Sequence, residues 1–276
     1  MYKVIFIDLD GTLLNDKKEL SKENLKQLNR AYSEKGIKTI ITTGRQSGYI
    51  QSIYDKYDCH FGDYIISNNG AIVKNIKTNE YINKENIPLK DLLFLRNICL
   101  ECDLNYLLIY TEEHAYMEKK SFIKTQKEII VDNIYDFLVN KDEPLFLCTT
   151  GGDIENIKQA INKINKYPKL TNTPICEYNV IIDNKTYHHN YIDVAKTGST
   201  KKSGIMKVID KFNIKNDEMI VIGDGGNDVP MFECGGYKVA MGNADGIIKE
   251  KADYITDTNN NDGVAKAIKK IIFNEE

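Results

Sequence analysis

Val4-Ile5-Phe6-Ile7-Asp8-Leu9-Asp10-Gly11-Thr12-Leu13 is the stretch on which the fold of this chain turns. Val4 to Ile7 is an unbroken apolar, β-rich run, too short for a helix, and it stops at two acids and a glycine. That pattern predicts a strand buried on both faces, of the parallel kind, whose carboxyl end delivers a functional loop. Residues i and i+2 leaving a strand can project to one side, and Gly11 permits a sharp departure. Asp8 and Asp10 would then lie close together, and two carboxylates so held repel unless a proton or a cation sits between them.

Outward from that stretch the pattern repeats. Ser21 offers an N-cap, with Asn24 where a capping-box Glu or Gln would sit; Leu25, Leu28 and Tyr32 mark an apolar face, and Gly36 stops the helix. Residues 37–42 read as a second strand and 64–67 as a third. Strand and helix alternating this early predict an α/β fold with a parallel sheet, and such sheets bind ligands at the carboxyl ends of their strands. Thr43-Gly44-Arg45 and Asn68-Asn69-Gly70 fall at ends of that kind.

The middle of the chain changes character. Residues 83–189 mix strand signals (107–110 and 145–148) with an amphipathic helix over 154–164, and carry no phosphate or metal motif. They are read as an inserted domain, with 1–82 and 190–276 forming one discontinuous core. The core alternation resumes with a helix over 203–212 and a strand over 219–222, which ends at Gly223-Asp224-Gly225-Gly226-Asn227-Asp228. A strand at 237–241 and a closing helix at 264–273 follow. Asn259-Asn260-Asn261 reads as compositional bias or a loop.

Composition narrows the function classes. The 276 residues are 42% hydrophobic and 28% charged, which suits a packed core with an insertion and excludes wholesale disorder. A formal net charge of −3 gives no overall pull toward nucleic acid or anionic membrane. The six cysteines are scattered, unlike those of a disulfide-stapled domain, and Cys99-Leu100-Glu101-Cys102 reads as two cysteines one turn apart on a helix rather than half of a zinc site. There is no signal peptide and no apolar run long enough to span a membrane, so the expectation is a soluble cytoplasmic protein. The sequence carries no signal of oligomeric state.

The acids at the strand ends define the chemistry. Asp8, Asp10 and Asp224 can hold Mg²⁺, a hard cation that favours oxygen ligands and relieves their repulsion. Asp8 would attack phosphorus and form an aspartyl-phosphate. Asp10, protonated at first, would donate to the leaving oxygen and later take a proton from water. Thr43 and Gly44 would donate hydrogen bonds to the transferring group, and a lysine would neutralise its charge. Arg45 has two readings of equal weight: a reach to the substrate, or an ion pair. Taken singly, Asp-Gly-Thr is an ordinary turn sequence; its functional reading rests on acids or hydroxyls ending three separate strands. The pair His188-His189 reads as a solvated strand end, with lining of the inserted domain as the alternative. His60 and His114 have no evident partner, and the stretch from Tyr106 to Tyr116, with Glu112 and Glu113, reads as a solvated face ahead of a substrate-facing one.

These motifs, in this order, resemble the haloacid dehalogenase superfamily, in the Cof-type phosphatase branch that carries a large α/β cap. The resemblance covers nearly the whole chain. It rests on Asp8 to Leu13, Thr42 to Arg45, Ser67 to Ala71 and Gly223 to Asp228 with Val229-Pro230-Met231. Ala240 to Ala244, Ala252-Asp253-Tyr254 and Asp262-Gly263-Val264 extend it. It implies a Rossmann-like core with an inserted α+β cap that chooses the substrate. It makes Asp8 the nucleophile and Asp10 the general acid/base. Mg²⁺ would be held by the carboxylates of Asp8 and Asp224 and the main-chain carbonyl of Asp10, Thr43 and Asn227 would bind phosphate, and Asp228 would support the metal or the lysine. That lysine aligns as Lys201 in Thr200-Lys201-Lys202-Ser203, although Lys202 replaces the usual glycine; Lys202 and then Lys196 are the alternatives. The implied partner is a small phosphorylated metabolite such as a sugar phosphate, pyridoxal phosphate or flavin mononucleotide. A phosphotransferase or mutase using the same intermediate, and a catalytically silent binding protein, are the competing expectations.

Overall fold

The computed structural model describes residues 1–118, 129–141, 143–182 and 185–275, with backbone alone at 141, 178–182 and 185–188. The chain divides into two compact units, 1–84 with 200–276, and 85–199.

In the first unit, β1 (Val4–Ile7) is followed by α1 (Lys22–Lys35), β2 (Lys38–Thr42), α2 (Ser47–Tyr57), β3 (Tyr64–Ser67), β4 (Ile72–Asn75) and β5 (Tyr81–Lys84). All four side chains of β1 are buried, as a parallel strand covered on both faces requires. Ser21 caps α1 by accepting from the Asn24 N–H, and Gly36 ends it at φ 69°. The buried face of α1 is Asn24, Gln27, Leu28 and Ala31, and Tyr32 is exposed. The helix is therefore turned from the expected Leu25–Leu28–Tyr32 face. Burying Asn24 is tolerable because both ends of its amide are bonded, its Nδ2 to the Leu13 carbonyl and its Oδ1 to the Ala265 N–H.

The second unit holds α3 (Leu89–Glu101), β6 (Tyr106–Tyr110), β7 (Ala115–Glu118), β8 (Ile129–Val131), α4 (Ile134–Lys141), β9 (Leu147–Gly152), α5 (Ile154–Ile164), β10 (Leu170–Asn172), β11 (Cys176–Ile182) and β12 (Lys185–Lys196). Its described strands run in the order β10-β12-β9-β6-β7-β8, with β11 paired to β12. Leu92, Leu95 and Ile98 of α3, Ile157 and Ile164 of α5, and Leu107, Ile109, Ile192 and Val194 of the sheet form its core. Cys99 and Cys102 are buried there as free thiols, Cys99 donating to the Thr150 hydroxyl, so the pair belongs to helix packing. Tyr116, expected on a solvated face, is buried with its hydroxyl on Glu143 Oε2. The expected junction at 189/190 falls inside β12, whose residues from Asn190 to Val194 pair with β9.

The first unit resumes with α6 (Lys201–Phe212), β13 (Met219–Gly223), α7 (Val229–Phe232), β14 (Tyr237–Ala240), α8 (Gly246–Lys251), β15 (Tyr254–Ile255) and α9 (Gly263–Phe273). Its sheet runs β15-β14-β13-β1-β2-β3-β4-β5, parallel from β15 to β3 and antiparallel beyond. The chain leaves β1 toward β2 and β3, and later continues from β13 away from β1 toward β14 and β15. The strand order thus reverses between β1 and β13, and the carboxyl ends at such a reversal are where open α/β sheets bind ligands. That reversal places the loop after Ile7 beside the loop after Gly223. No helix among the described residues is long and apolar enough to cross a membrane.

Candidate active site

Asp8 is the first residue past β1. Ile7 pairs with Ile222 on one side and Ile41 on the other, and the Asp8 N–H donates to the Ile222 carbonyl at 2.9 Å. The strand ends of β13 and β2 therefore flank it, bringing Asp224 and Thr43 to the same edge. Asp8 is 4% exposed.

Lys201 reaches it from α6. Its Nζ lies 2.5 Å from Asp8 Oδ1 and 2.6 Å from Asp228 Oδ1, and the side chain is fully buried. The helix begins two residues earlier than its apolar pattern indicates. Thr200 caps it, and Ser203 returns the bond to the Thr200 N–H. The first turn of α6 can come so close because of two glycines. A Cβ on Gly70 would strike the Thr200 carbonyl, and one on Gly204 would meet Ile66 at 2.6 Å. Asn68, Asn69 and Gly70 all have positive φ, so the Asn-Asn-Gly run forms the tight turn under this helix. Lys202 points instead toward Glu233 at 3.6 Å, and Lys196 toward Glu85 at 3.5 Å.

Asp228 is held from both ends. Its Oδ1 receives Lys201, and its Oδ2 accepts the N–H groups of Asp224 at 2.9 Å and Gly225 at 3.1 Å. Asp224 in turn accepts from the Thr12 hydroxyl at 2.7 Å, and position 11 favours glycine, because its φ is 82° and a Cβ there would press on Asp224 Oδ2. Thr43 is buried, with its hydroxyl accepting the Arg45 N–H and its own N–H on the Ile66 carbonyl. Gly44 packs against the Asn69 side chain, and Asn227 sits half-buried in the turn Gly226–Asp228.

Asp10 departs from expectation. Its carboxylate is bound by Arg45, with Nε at 2.8 Å and a second nitrogen at 3.1 Å, and by Lys18 at 2.8 Å. Burial alone would raise its carboxyl, but the two cations outweigh burial and hold it well below the usual carboxylate range. In this arrangement Asp10 is an ionised acceptor and not the protonated donor expected from the sequence. Arg45 is thereby placed in an ion pair. Lys18 stands in none of the sequence motifs. Its signal is slight, a basic residue in a loop whose bridges from Leu14 to Asp10 and Leu20 fold it back on the motif.

Asp8, Asp224 and Asp228 each offer an oxygen, and these oxygens lie within 4.8 Å of one another. Three carboxylates against the one ammonium of Lys201 leave two negative charges in a largely buried space. Burial, and then the charge of Asp228, raise Asp8 well above its ordinary range and push Asp224 up to about 7. Burial works against the charge of Lys201, yet Asp228 and Asp8 overcome it and keep the ammonium above its ordinary range. All-oxygen donors with excess negative charge suit a hard divalent cation such as Mg²⁺.

Outside this cluster, His189 in the second unit stacks on Tyr106, its Nε2 3.0 Å from the tyrosine hydroxyl, and burial lowers its basicity. The His188 side chain lies outside the described residues. His60 faces Asp58 at 3.1 Å on the surface, and His114 is exposed.

Known proteins share this organisation. The sequence profile of haloacid dehalogenase-like hydrolases matches residues 5–268. A Bacillus subtilis phosphatase of 5-amino-6-(5-phospho-D-ribitylamino)uracil, YcsE, is 30% identical, over 97% of this chain and 94% of its own. The pyridoxal phosphate phosphatase YbhA of Escherichia coli is 26% identical, over 96% and 97%. A solved phosphatase of the haloalkanoate enzyme superfamily from Bacteroides thetaiotaomicron superposes with a TM-score of 0.80 at 26% identity, covering 98% of this chain and 94% of that one. The chain belongs to the haloacid dehalogenase-like hydrolase family, as a phosphatase of the Cof type.

Proposed function

We propose that this phosphatase hydrolyses small phosphomonoesters with Mg²⁺, through an aspartyl-phosphate on Asp8. The observation that carries the reading is the buried Asp8 carboxylate, held by Lys201 within reach of Asp224 at the switch point of the sheet.

Asp8 attacks phosphorus as the bond to the leaving oxygen breaks, and that oxygen takes a proton from Asp10, which first gains it from solvent once Arg45 and Lys18 let go. Water then attacks the phosphoryl group and returns a proton to Asp10, while the phosphorus bond to Asp8 breaks and inorganic phosphate leaves. Mg²⁺ would be held by the carboxylates of Asp8 and Asp224 and the Asp10 main-chain carbonyl, backed by Asp228, and when bound it supplies charge neutralisation between these carboxylates and the phosphate. Lys201 orients Asp8 and carries positive charge toward the transferring group. Thr43 and Gly44 offer a hydroxyl and an N–H to it, and Asn227 an amide. For Asp10 to move a proton, its bonds to Arg45 and Lys18 must open. A phosphate dianion competes for the same two cations, which links substrate arrival to release of the acid.

The unit 85–199 is assigned the choice of leaving group. The relatives that act on pyridoxal phosphate and on a phosphoribitylaminouracil favour a compact phosphometabolite, a sugar phosphate or flavin mononucleotide being of the same class. The direct test is Asp8→Asn, which keeps the shape and removes the nucleophile. Phosphate release should fall by about a thousandfold or more. Residual turnover within about tenfold of the parent enzyme would exclude Asp8 as nucleophile. Measuring phosphate release with and without an acceptor sugar separates hydrolysis from phosphoryl transfer.

A further inference from the structure

The asparagine run at 259–261, which reads as compositional bias, reaches the site. We propose that Asn259 and Asn243, completed by Asn24, form an amide clamp that positions the loop after Asp8 for metal binding; this rests on the Mg²⁺ reading above.

The loop 11–16 leaves the sheet at Gly11, where φ is 82°. Apart from the isolated bridges of Leu14 to Asp10 and Leu20, this segment lies outside the sheet, and its aim is set largely by the side chains that donate to it. Here three side-chain amides take the task. Asn243 Nδ2 donates to the Gly11 carbonyl at 2.8 Å, Asn24 Nδ2 to Leu13 at 3.4 Å, and Asn259 Nδ2 to Leu14 at 3.1 Å. Asn259 and Asn243 are joined to each other as well as to the loop. The Asn259 N–H donates to Asn243 Oδ1 at 2.9 Å, and Asn259 Nδ2 also reaches Asp16 Oδ1 at 3.0 Å. Asn260 completes the grip on Asp16, donating from Nδ2 at 2.8 Å and accepting the Asp16 N–H at 3.1 Å. Asn259 is 3% exposed and Asn24 is 1% exposed, so water does not substitute for them.

What the clamp fixes is adjacent to the metal ligands. The Gly11 peptide held by Asn243 follows directly on Asp10, whose main-chain carbonyl would be a metal ligand in the proposed site. The next residue, Thr12, donates to Asp224 and orients that carboxylate. A shift of the Gly11 peptide moves both at once. Groups that hold metal ligands in place, without touching the ion, commonly change metal affinity by about 10- to 100-fold when removed. Asn259 and Asn243 are thus positioning residues. They tie two segments distant in sequence to one half of the metal site, and neither touches the nucleophile's contact with Lys201.

The test is Mg²⁺ binding by titration calorimetry on the full chain, with melting temperature measured in parallel. Asn259→Ala and Asn243→Ala should weaken Mg²⁺ binding by about tenfold or more, and saturating Mg²⁺ should restore most of kcat. Asn259→Asp preserves shape but turns the donor into an anion facing Leu14 and Asp16, and it should weaken binding at least as much. Asn261→Ala is the control, since its amide donates to Asp257 and not to the loop. If the Asn259 or Asn243 variants melt lower yet bind Mg²⁺ as the parent does, the clamp is structural only and the proposal falls. If the buried variants fail to fold, Asn260→Ala, at the exposed end of the clamp, must still weaken Mg²⁺ binding more than Asn261→Ala; equal effects overturn it. A parent enzyme that binds no Mg²⁺ would overturn the metal reading itself, a result distinct from either of these.

Discussion

Asp8 and Asp10 stand two residues apart, yet they occupy opposite electrostatic surroundings. Asp8 is buried among Asp224 and Asp228, with Lys201 opposing them, and its carboxyl is raised. Asp10 lies between Arg45 and Lys18, and its carboxyl is lowered despite burial. The strand end delivers both acids, but the segments packed against each decide its charge. Asp8 meets what β13 and α6 bring, and Asp10 meets what the loops after β1 and β2 bring. Chemically identical side chains are thereby divided into one that a cation would stabilise and one that already has its cations.

Removing Lys201 breaks the Asp8 side of this contrast most severely. Lys201→Ala leaves Asp8 and Asp228 facing each other without a counter-charge, and kcat should fall roughly 100- to 1,000-fold. A near-normal rate would refute the assignment of Lys201 and return Lys202 to consideration.

Asp224→Ala acts on the same side through the metal. In the parent chain, Mg²⁺ at about a hundred times its dissociation constant should add roughly 2.7 kcal/mol of stability, and chelation should remove it. The variant should lose most of that Mg²⁺-dependent gain while folding well without the ion, because one of the crowded carboxylates is gone. A melting temperature that responds to Mg²⁺ as strongly as the parent's would place the cation elsewhere.

The Asp10 side should give smaller effects, and they sharpen the comparison by their order. Arg45→Ala removes a two-pronged contact and should raise KM by about tenfold if the guanidinium passes to the substrate, the scale of a charged hydrogen bond. Lys18 is half exposed, so Lys18→Ala should change kcat/KM by less than about fivefold, as surface ion pairs do. A larger loss from Lys18 than from Arg45 would reverse the assigned importance of the two cations.

The sequence makes some of these features legible and hides others, for physical reasons. Val4 to Ile7 is readable as a central strand because burial on both faces leaves no polar position in it. Asp8, Thr43 and Asp224 are readable because strand ends in a doubly wound sheet converge. The start of α6 is harder, since Thr200 and Ser203 make a capping box without the customary acid, and the location of Lys201 depends on it. The state of Asp10 is not readable at all. It depends on a loop folding back so that Lys18, in no periodic pattern, meets it. Asn259 is hidden for the opposite reason, as repeated asparagines resemble a solvated loop until the Leu14 and Asp16 partners are in place. The unit boundary at 199/200 is hidden because β12 carries the second sheet on past residue 190 as one strand to Lys196.

The reversal of strand order between β1 and β13 also sets a timetable for biosynthesis. A chain growing from its N-terminus has β1 through β5 available early, but the edge of β1 destined for β13 stays open until the whole contiguous stretch 85–199 has emerged. That stretch can collapse on itself meanwhile, as domains generally do during synthesis. The carboxylates of Asp224 and Asp228 arrive only afterwards, and the Asn259 anchor later still. The central strand of the molecule is thus among its first segments to be made and among the last to be closed. Until then its exposed edge is a natural binding place for a chaperone, or a starting point for misassembly.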